Sequence, residues 1–253
     1  MKSKFFTDRG KIRNHNEDSG GIYHNRYGQF LAIIADGMGG HKAGDVASQM
    51  ATTLIKEKWE QSNQLQTPDE IENWLRDSIQ EMNKALFEYA SNNEECQGMG
   101  TTIVIAICTD EFITIAHVGD SRCYLVNENG FNQLTEDHSL VNALVQSGQI
   151  TKEDAQHHPR KNVVLKAVGT EEYVESDIRS LEWDSGNILL LCTDGLTDKL
   201  TDDELGERIQ SQQDMEEKGQ QLIHLANELG GEDNISLILV QHDVPQEEGE
   251  IPC

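Results

Sequence analysis

Residues 101–126 read TTIVIAICTDEFITIAHVGDSRCYLV, three apolar runs of strand length separated only by short turns. The runs cover 101–109, 112–118 and 122–126. Short turns join antiparallel strands, because parallel strands need a long crossover connection. We therefore expect an antiparallel meander over 101–126.

The rest of the chain also divides into strand-length runs and helical stretches. Further apolar runs of strand length lie at 30–35, 188–192 and 235–241. Helical spacing or a helix-capping sequence marks 46–54, 67–89, 139–146, 151–157, 201–204 and 216–229. Strands and helices come in groups instead of alternating one by one, which favours an α+β fold with helices packed outside antiparallel sheets. We expect a single domain over 1–242 and an acidic, disordered tail over 243–253.

The charge of the chain excludes two classes of function. Its 253 residues contain 20 Lys and Arg against 45 Asp and Glu, a net charge of -25, and the acidic excess is concentrated after residue 126. Such a surface repels nucleic acid and anionic lipid. No apolar run approaches the roughly 20 residues of a membrane helix, and residues 1–19 lack the apolar region of a signal peptide. We expect a cytoplasmic protein without membrane insertion.

The five cysteines favour buried, reduced thiols over a disulfide or zinc framework. Their number is odd, no Cys-x-x-Cys spacing occurs, and Cys108, Cys123 and Cys192 lie inside apolar runs. No cysteine is followed by the arginine of a thiol-phosphatase loop, and no phosphate-binding glycine loop is present.

Residues 138–162 interrupt the pattern of strands with polar stretches and a break at Gly148. Two interpretations stay open for this segment. It is either a packing excursion or a surface flap beside a functional site.

Four aspartates stand at the ends of apolar strands, which is the most informative feature of the sequence. Asp36, Asp120 and Asp194 end or follow such runs beside glycine or a small turn residue, and Asp233 directly precedes 235–241. Each alone is readily explained as a turn signal. Together, buried and unpaired, they would repel one another at a cost of several kcal/mol per ion.

A hard divalent cation removes this repulsion. Mg²⁺ and Mn²⁺ prefer carboxylate, carbonyl and water oxygens, and the carbonyl of Gly37 is a further candidate ligand. Arg13 lies in a small basic island with Arg9 and Lys11, close to Glu17. A guanidinium beside such a carboxylate cluster suits the binding of a phosphate monoester.

The motifs together resemble a known family. They are RNHNEDS (13–19), DGMGGHKAGDVAS (36–48), GTT (100–102), VGDSR (118–122), LTEDHS (134–139), KAVG (166–169), LLLCTDGLTD (189–198) and EDNIS (232–236). In this order they are similar to the bacterial branch of the metal-dependent protein phosphatases, the protein phosphatase 2C (PPM) family. The resemblance extends from residue 9 to about residue 240.

The resemblance implies a sandwich of two antiparallel β-sheets flanked by helices on both sides. It implies hydrolysis of phosphoserine and phosphothreonine by a water activated at a binuclear Mn²⁺ or Mg²⁺ centre. In its terms Asp36 bridges two cations, Gly37 supplies a carbonyl, and Asp194 and Asp233 complete the ligands. Asp120 and Asp194 would hold a third, weaker cation.

The resemblance also assigns roles around the cations. Arg13 would bind phosphate, Glu17 and Asp18 would hold cation-bound water behind the ligands, and 138–162 would be the flap.

Met38 departs from the wider family, whose animal members carry a histidine proposed as general acid at this position. The leaving-group proton would then come from cation-bound water, from His41 or from a flap histidine. His158 is our candidate, whereas His41 is as readily a structural residue of the glycine-rich turn and His157 an exposed one.

The resemblance suggests partners as well as chemistry. The expected substrates are phosphoserine and phosphothreonine proteins, including those of a cognate Ser/Thr protein kinase, and the expected form is a monomer. A catalytically silent phosphoprotein-binding relative is the alternative, as is a hydrolase dedicated to a stress-response cascade. All the expected ligand positions hold aspartate, which favours an enzyme.

Overall fold

Two antiparallel sheets form the centre of the structure, a computed structural model that describes residues 1–40 and 43–243. The first sheet contains, in spatial order, β1 (Lys2–Asp8), β11 (Ile235–Gln241), β10 (Ile188–Cys192), β7 (Arg122–Asn127) and β8 (Gly130–Gln133). The second contains β2 (Asp18–His24), β3 (Phe30–Met38), β5 (Ile103–Cys108), β6 (Phe112–Val118) and β9 (Asp177–Glu182), with β4 (Gly100–Thr101) paired to β3. The expectations for His41 and for the tail from 244 onward fall outside the described residues.

Helices cover the outer faces of both sheets, except for two short ones that lie within the 138–162 segment. The helices are α1 (Ala43–Glu60), α2 (Pro68–Asn92), α3 (Leu140–Gln146), α4 (Lys152–Gln156), α5 (Asp194–Thr197), α6 (Asp202–Ile209) and α7 (Met215–Glu228), with a 3-10 turn at Glu94–Cys96. The side chains of α1 and α2 pack on the second sheet, and those of α5, α6 and α7 pack on the first. The predicted α+β sandwich with helices on both sides is confirmed.

The alternation of side chains along a strand explains why the central strands are apolar throughout. In β3, Leu31 and Ile33 belong to the cluster with α1 and α2, whereas Ala32 and Ile34 belong to the cluster between the sheets. Successive side chains of a strand point to opposite faces. Since both faces of β3 are covered, both sets must be apolar.

The capping sequences begin helices where the sequence predicts them. Thr67 caps α2 in a complete capping box with Glu70, and Pro68 occupies the first turn. Thr201 caps α6 in the same way with Glu204. Each box satisfies backbone N–H groups that the first helical turn leaves without partners.

The predicted meander over 101–126 is confirmed for its first pair of strands and wrong for its second. β5 and β6 pair antiparallel, but β7 pairs with β10 and β8 in the other sheet. Between β6 and β7 the chain crosses from one sheet to the other through Gly119, whose φ of 107° is unfavourable for other residues. This crossing turn carries Asp120.

The cysteines match the expectation from the sequence. Cys108, Cys123 and Cys192 are free and buried. Burial raises the pKa of the Cys192 thiol to about 12.

Across residues 1–40 and 43–243, none of the helices is both long enough and apolar enough to span a membrane.

Candidate active site

Carboxylates from four distant parts of the chain meet at one edge of the sandwich. Asp36 lies near the end of β3, directly opposite Asp18 of β2. Asp194 is the first residue of α5, directly after β10. The charges that raise the pKa of Asp36, after burial itself, are those of Asp18, Asp194, Asp233 and Asp120. The structure thus brings together the four aspartates that the sequence singled out.

Burial and mutual repulsion make these carboxylates hard to ionise. Burial is the largest cause in each case, raising the pKa of Asp120 to about 8, that of Asp18 to about 7 and that of Asp194 to about 6. Asp194 and Asp137 add to the shift of Asp120, and Asp233 and Asp198 to that of Asp194. A positive charge within the cluster would reverse these shifts.

Two of the carboxylates have a buried oxygen atom that no described residue contacts through a hydrogen bond. These atoms are Asp18 Oδ1 and Asp194 Oδ1. Leaving such atoms unsatisfied is costly, and carboxylate oxygens are the ligands that Mg²⁺ and Mn²⁺ prefer. The residues present therefore fit a divalent cation.

Glycines keep the approach to Asp36 open. A Cβ atom on Gly44 would lie 2.8 Å from the carbonyl oxygen of Gly37 and 2.9 Å from the Glu17 carboxylate. A Cβ atom on Gly37 would lie 2.6 Å from the Glu17 carbonyl oxygen. The β2–β3 edge and the start of α1 can come this close only because neither residue has a side chain.

Thr102 connects Asp36 with the turn that carries Asp120. Its hydroxyl oxygen accepts a hydrogen bond from the Asp36 backbone N–H (3.1 Å) and lies 2.7 Å from the Ser121 hydroxyl. The neighbouring Thr101 hydroxyl donates to the Asp36 carbonyl oxygen (2.8 Å). The GTT motif (100–102) therefore fixes the backbone of Asp36, a role that is not visible in the sequence.

Thr193 lies between β10 and α5 and connects Asp18 with the segment that carries Asp194. Its hydroxyl donates to Asp18 Oδ2 (3.0 Å) and accepts from the Ser236 backbone N–H (3.0 Å). These bonds fix one oxygen of Asp18 and leave Oδ1 free for the cluster.

Asn234 holds the N-terminal loop against the start of β11. Its Nδ2 donates to the carbonyl oxygens of Arg9 (2.8 Å) and His15 (2.9 Å), and its Oδ1 accepts from the Glu17 backbone N–H (2.8 Å). Asn234 is buried, so its side of each of these part-buried contacts is shielded from water. The loop that they fix carries Arg13.

Arg13 lies at the edge of the carboxylate cluster with its side chain 45% exposed. Its Nη2 donates to Asp233 Oδ2 (2.6 Å), and its Nη1 is 3.7 Å from Glu17 Oε2. Partial burial alone would lower the pKa of Arg13, but Asp233, Glu17 and Asp36 raise it above its ordinary value. The guanidinium is therefore charged and accessible to an anion.

Glu17 is less exposed than Arg13 and faces a second carboxylate. Burial and the charge of Asp45 raise its pKa, and Arg13 partly offsets them.

A cavity of about 1200 Å³ opens beside Asp120 and Asp194. Its other wall includes Val141 and Val145 of α3, together with His157 and Lys161 from the end of the 138–162 segment. Lys161 Nζ is 2.6 Å from Asp198 Oδ2, so the end of this segment is tied to the residue that follows α5. The segment therefore forms one side of the space next to the cluster.

The two histidines near the end of the 138–162 segment, His157 and His158, lie in different surroundings. His157 is exposed and lies on the cavity wall. His158 Nδ1 accepts from the Arg160 backbone N–H (3.1 Å), a local contact within its own turn. The role of His158 as general acid stays a prediction.

The sequence of the chain is similar to those of known protein phosphatases. A family model described as "Protein phosphatase 2C" matches residues 11–238. The serine/threonine phosphatase stp of Listeria monocytogenes is 49% identical over 246 residues, which cover 97% of this chain and 98% of that protein.

Solved structures agree with the sequence relatives. The crystal structure of the serine/threonine phosphatase Stp1 from Staphylococcus aureus has a TM-score of 0.92 and 42% identity, covering 96% of this chain and 95% of that one. The catalytic domain of the serine threonine protein phosphatase PstP, in complex with two manganese ions, has a TM-score of 0.83 and 30% identity, covering 95% and 97%. Because the family match and these likenesses extend over almost the whole chain, the chain belongs to the protein phosphatase 2C family of metal-dependent serine/threonine phosphatases.

Proposed function

We propose that this protein hydrolyses phosphoserine and phosphothreonine in other proteins at the carboxylate cluster. The observation that carries the proposal is a cluster of aspartates, two of them with buried oxygen atoms that no described residue hydrogen-bonds, with an accessible guanidinium at its edge. The cluster fits cations, and the guanidinium fits the phosphate oxygens that the cations leave free.

The proposed ligands are Asp36, the Gly37 carbonyl, Asp194 and Asp233 for two Mn²⁺ or Mg²⁺ ions, and Asp120 with Asp194 for a third, weaker one. When bound, the ions would supply an activated water and offset the charge that develops on the phosphoryl group. PstP, a structural neighbour, was solved with two manganese ions, which supports Mn²⁺ as one of the natural choices.

Residues around the proposed ligands would bind phosphate, hold water and supply a proton. Arg13 binds phosphate oxygens, and its present partner Asp233 is within 2.6 Å, so phosphate binding requires the guanidinium to turn from this carboxylate. Asp18 offers Oδ1 to water in the cluster because Thr193 holds its other oxygen. Glu17 does the same from the side of Arg13. His158 remains our candidate for the proton of the leaving alkoxide.

The 138–162 segment is proposed to be the flap that shapes the entrance for the substrate, and residues 1–242 a single domain. The likeness to phosphatases named for Ser/Thr specificity supports phosphoprotein substrates, among them those of a cognate Ser/Thr kinase. Free, buried cysteines are in keeping with a reducing compartment, so we place the enzyme in the cytoplasm. We also propose that it acts as a monomer.

The test is Mn²⁺-dependent hydrolysis of a phosphothreonine peptide. Asp36→Asn, Asp194→Asn and Asp233→Asn should each lower kcat/KM by about 100-fold or more, because each removes a ligand charge from the centre. Asp77→Asn, an exposed change on α2 that removes the same charge, is the matched control and should leave kcat/KM unchanged.

Arg13→Ala should act differently in the same assay. It should raise KM more than it lowers kcat, because the cations remain bound and only the phosphate contact is lost.

Near-normal turnover in any of the three aspartate variants would refute the ligand assignment. Unchanged kcat and KM in Arg13→Ala would refute phosphate binding by Arg13.

A further inference from the structure

His138 makes two hydrogen bonds to Gly119, which lies in the turn that carries Asp120. The His138 backbone N–H donates to the Gly119 carbonyl oxygen (2.9 Å), and the Gly119 N–H donates to His138 Nδ1 (3.1 Å). Gly119 directly precedes Asp120. The position of Asp120 therefore depends on this pair of contacts.

The other side of the same turn is fixed by Thr102. A Cβ atom on Gly119 would lie 2.6 Å from Thr102 Cγ2, and the Thr102 hydroxyl lies 2.7 Å from that of Ser121. The turn at 119–121 is thus contacted by Thr102, next to β5, and by His138, at the start of the flap segment.

The hydrogen bond from Gly119 determines which nitrogen of His138 carries the proton. Because Nδ1 accepts, the neutral ring must be protonated at Nε2. Nε2 is buried and lies 3.5 Å from Asp177 Oδ1, and it makes no closer polar contact with the residues that the structure describes. Burial, His117 and Lys166 lower the pKa of His138 more than Asp177 raises it, which favours this neutral ring.

A metal ion is the competing explanation for this group of side chains. His117, His138 and Asp177 each offer one ligand atom, all within 4.8 Å of one another. Coordination through Nε2 of His138 would move its proton to Nδ1, directly against the Gly119 N–H. The two rings are also stacked, with centroids 4.7 Å apart and planes inclined by 16°, so a single ion cannot lie in both ring planes. The geometry favours a hydrogen-bonding role.

His138 also lies where the two ends of the flap segment meet. The Leu165 N–H donates to the His138 carbonyl oxygen (2.7 Å), and the Leu140 N–H donates to that of Val163 (2.8 Å). One residue therefore contacts both the base of the flap and the turn of Asp120.

We propose that His138 is a positioning residue that holds Asp120 in place through Gly119 and so sets the affinity of the third, weaker cation site. The inference rests on the proposed role of Asp120 as a ligand of that site. The hydrogen-bond acceptor at Nδ1, and not the rest of the imidazole ring, is the group that fixes Gly119.

Two isosteric substitutions separate the nitrogens of the ring. In His138→Asn the amide oxygen can occupy the place of Nδ1 and accept from Gly119, whereas His138→Gln places its polar group near Nε2 and has no acceptor at Nδ1. Mn²⁺ binding without substrate, followed by the electron paramagnetic resonance signal of free Mn²⁺, gives the affinity of the tight and weak sites separately.

The asparagine variant should bind Mn²⁺ at the weak site within about 3-fold of the unaltered protein, and the glutamine variant about 10-fold more weakly, the equivalent of one buried hydrogen bond. The tight sites should be unchanged in both. Equal weak-site affinities in the two variants would overturn the role of Nδ1.

Asp120→Asn separates the inference from the assignment on which it rests. Loss of weak binding in Asp120→Asn with unaltered binding in His138→Gln would overturn only the role of His138. Unaltered weak binding in Asp120→Asn would overturn the assignment of Asp120 and the inference together, while the hydrolysis assay above still decides the proposed function.

A measurement on the unaltered protein needs no variant to fold. The ring nitrogen chemical shifts of His138 should report protonation at Nε2, and the Gly119 amide hydrogen should exchange slowly. A ring protonated at Nδ1, or a shift of these signals on adding Zn²⁺ in amounts equal to the protein, would overturn the proposal.

Discussion

At the scale of single residues, Asn234 shows how one amide can position the loop of Arg13, the proposed phosphate-binding residue. Its Nδ2 supplies two donors to two carbonyl oxygens, and its Oδ1 accepts from a backbone N–H. Aspartate could only accept, and would set a negative charge against those carbonyl oxygens. Asparagine is therefore the residue whose side chain satisfies all three partners.

Asn234→Ala should destabilise the protein by about 3 kcal/mol, because three part-buried hydrogen bonds are lost, each contributing about 1 kcal/mol. It should also raise KM for a phosphothreonine peptide roughly tenfold by loosening the loop of Arg13. Chemical denaturation and steady-state kinetics measure the two effects. Asn92→Ala on the exposed end of α2 is the control, and an unchanged KM in Asn234→Ala would show that the clamp does not position Arg13.

The sequence predicts the aspartates of the site but not the residues that hold them. Asp36, Asp194 and Asp233 are visible because each stands at the end of an apolar strand, a local signal. Thr193 and Asp18 are 175 residues apart, and Asn234 acts on a loop more than 200 residues earlier. Such partners become apparent only when the fold brings them together, although the GTT and EDNIS motifs mark where to look.

At the scale of elements, the start of α5 lies directly on the turn before β11. A Cβ atom on Gly195 would lie 1.9 Å from the Asn234 carbonyl oxygen and 3.4 Å from Asp233 Cβ. The short helix can approach the strand only at a glycine. This contact sets the separation of Asp194 from Asp233.

Gly195→Ala should therefore push α5 away from β11. We expect a loss of stability on the order of 2 kcal/mol, as for other overpacked sites, and weaker Mn²⁺ binding at the tight sites. Calorimetric titration with Mn²⁺ and thermal unfolding measure both. Gly40→Ala, where a Cβ atom would meet none of the described residues within 4 Å, should change neither; equal behaviour of the two variants would contradict the packing argument.

Elements in the middle of the sandwich are predictable, and those at its margins are less so. β3, β5, β6, β10 and β11 are apolar on both faces and read as continuous runs. β2 (DSGGIYH) contains two glycines and is only partly buried, and β9 (DIRSLE) alternates with charged residues, so neither gives a clear signal. The meander fails at Gly119 because a short turn can also connect two stacked sheets.

At the scale of the whole molecule, the carboxylate cluster makes stability without cations depend on pH. Burial raises the pKa of Asp194, Asp18 and Asp120 from 3.8 to about 6, 7 and 8. Between these values and 3.8 the folded chain binds more protons than the unfolded chain. Stability therefore falls as the pH rises through this interval.

In the presence of a chelator, the unfolding temperature should fall from about pH 5 to about pH 8.5, and Mn²⁺ should restore much of it at the upper end. Thermal unfolding monitored by circular dichroism measures both effects. Asp120→Asn should flatten the slope, since one raised group is gone while the net charge hardly changes. A chelated protein whose unfolding temperature stays level or rises with pH would contradict the shifts.

The pairing of β1 with β11 has a consequence for how the molecule is made. β11 lies between β1 and β10 and is the last strand that the structure describes, and Asp233 stands just before it. A nascent chain on the ribosome lacks both a central strand and one of its acidic groups until about residue 241 has left the exit tunnel. Phosphatase activity therefore cannot begin before residues 233–241 have emerged, and chains cut short before them stay inert towards the phosphoproteins around them.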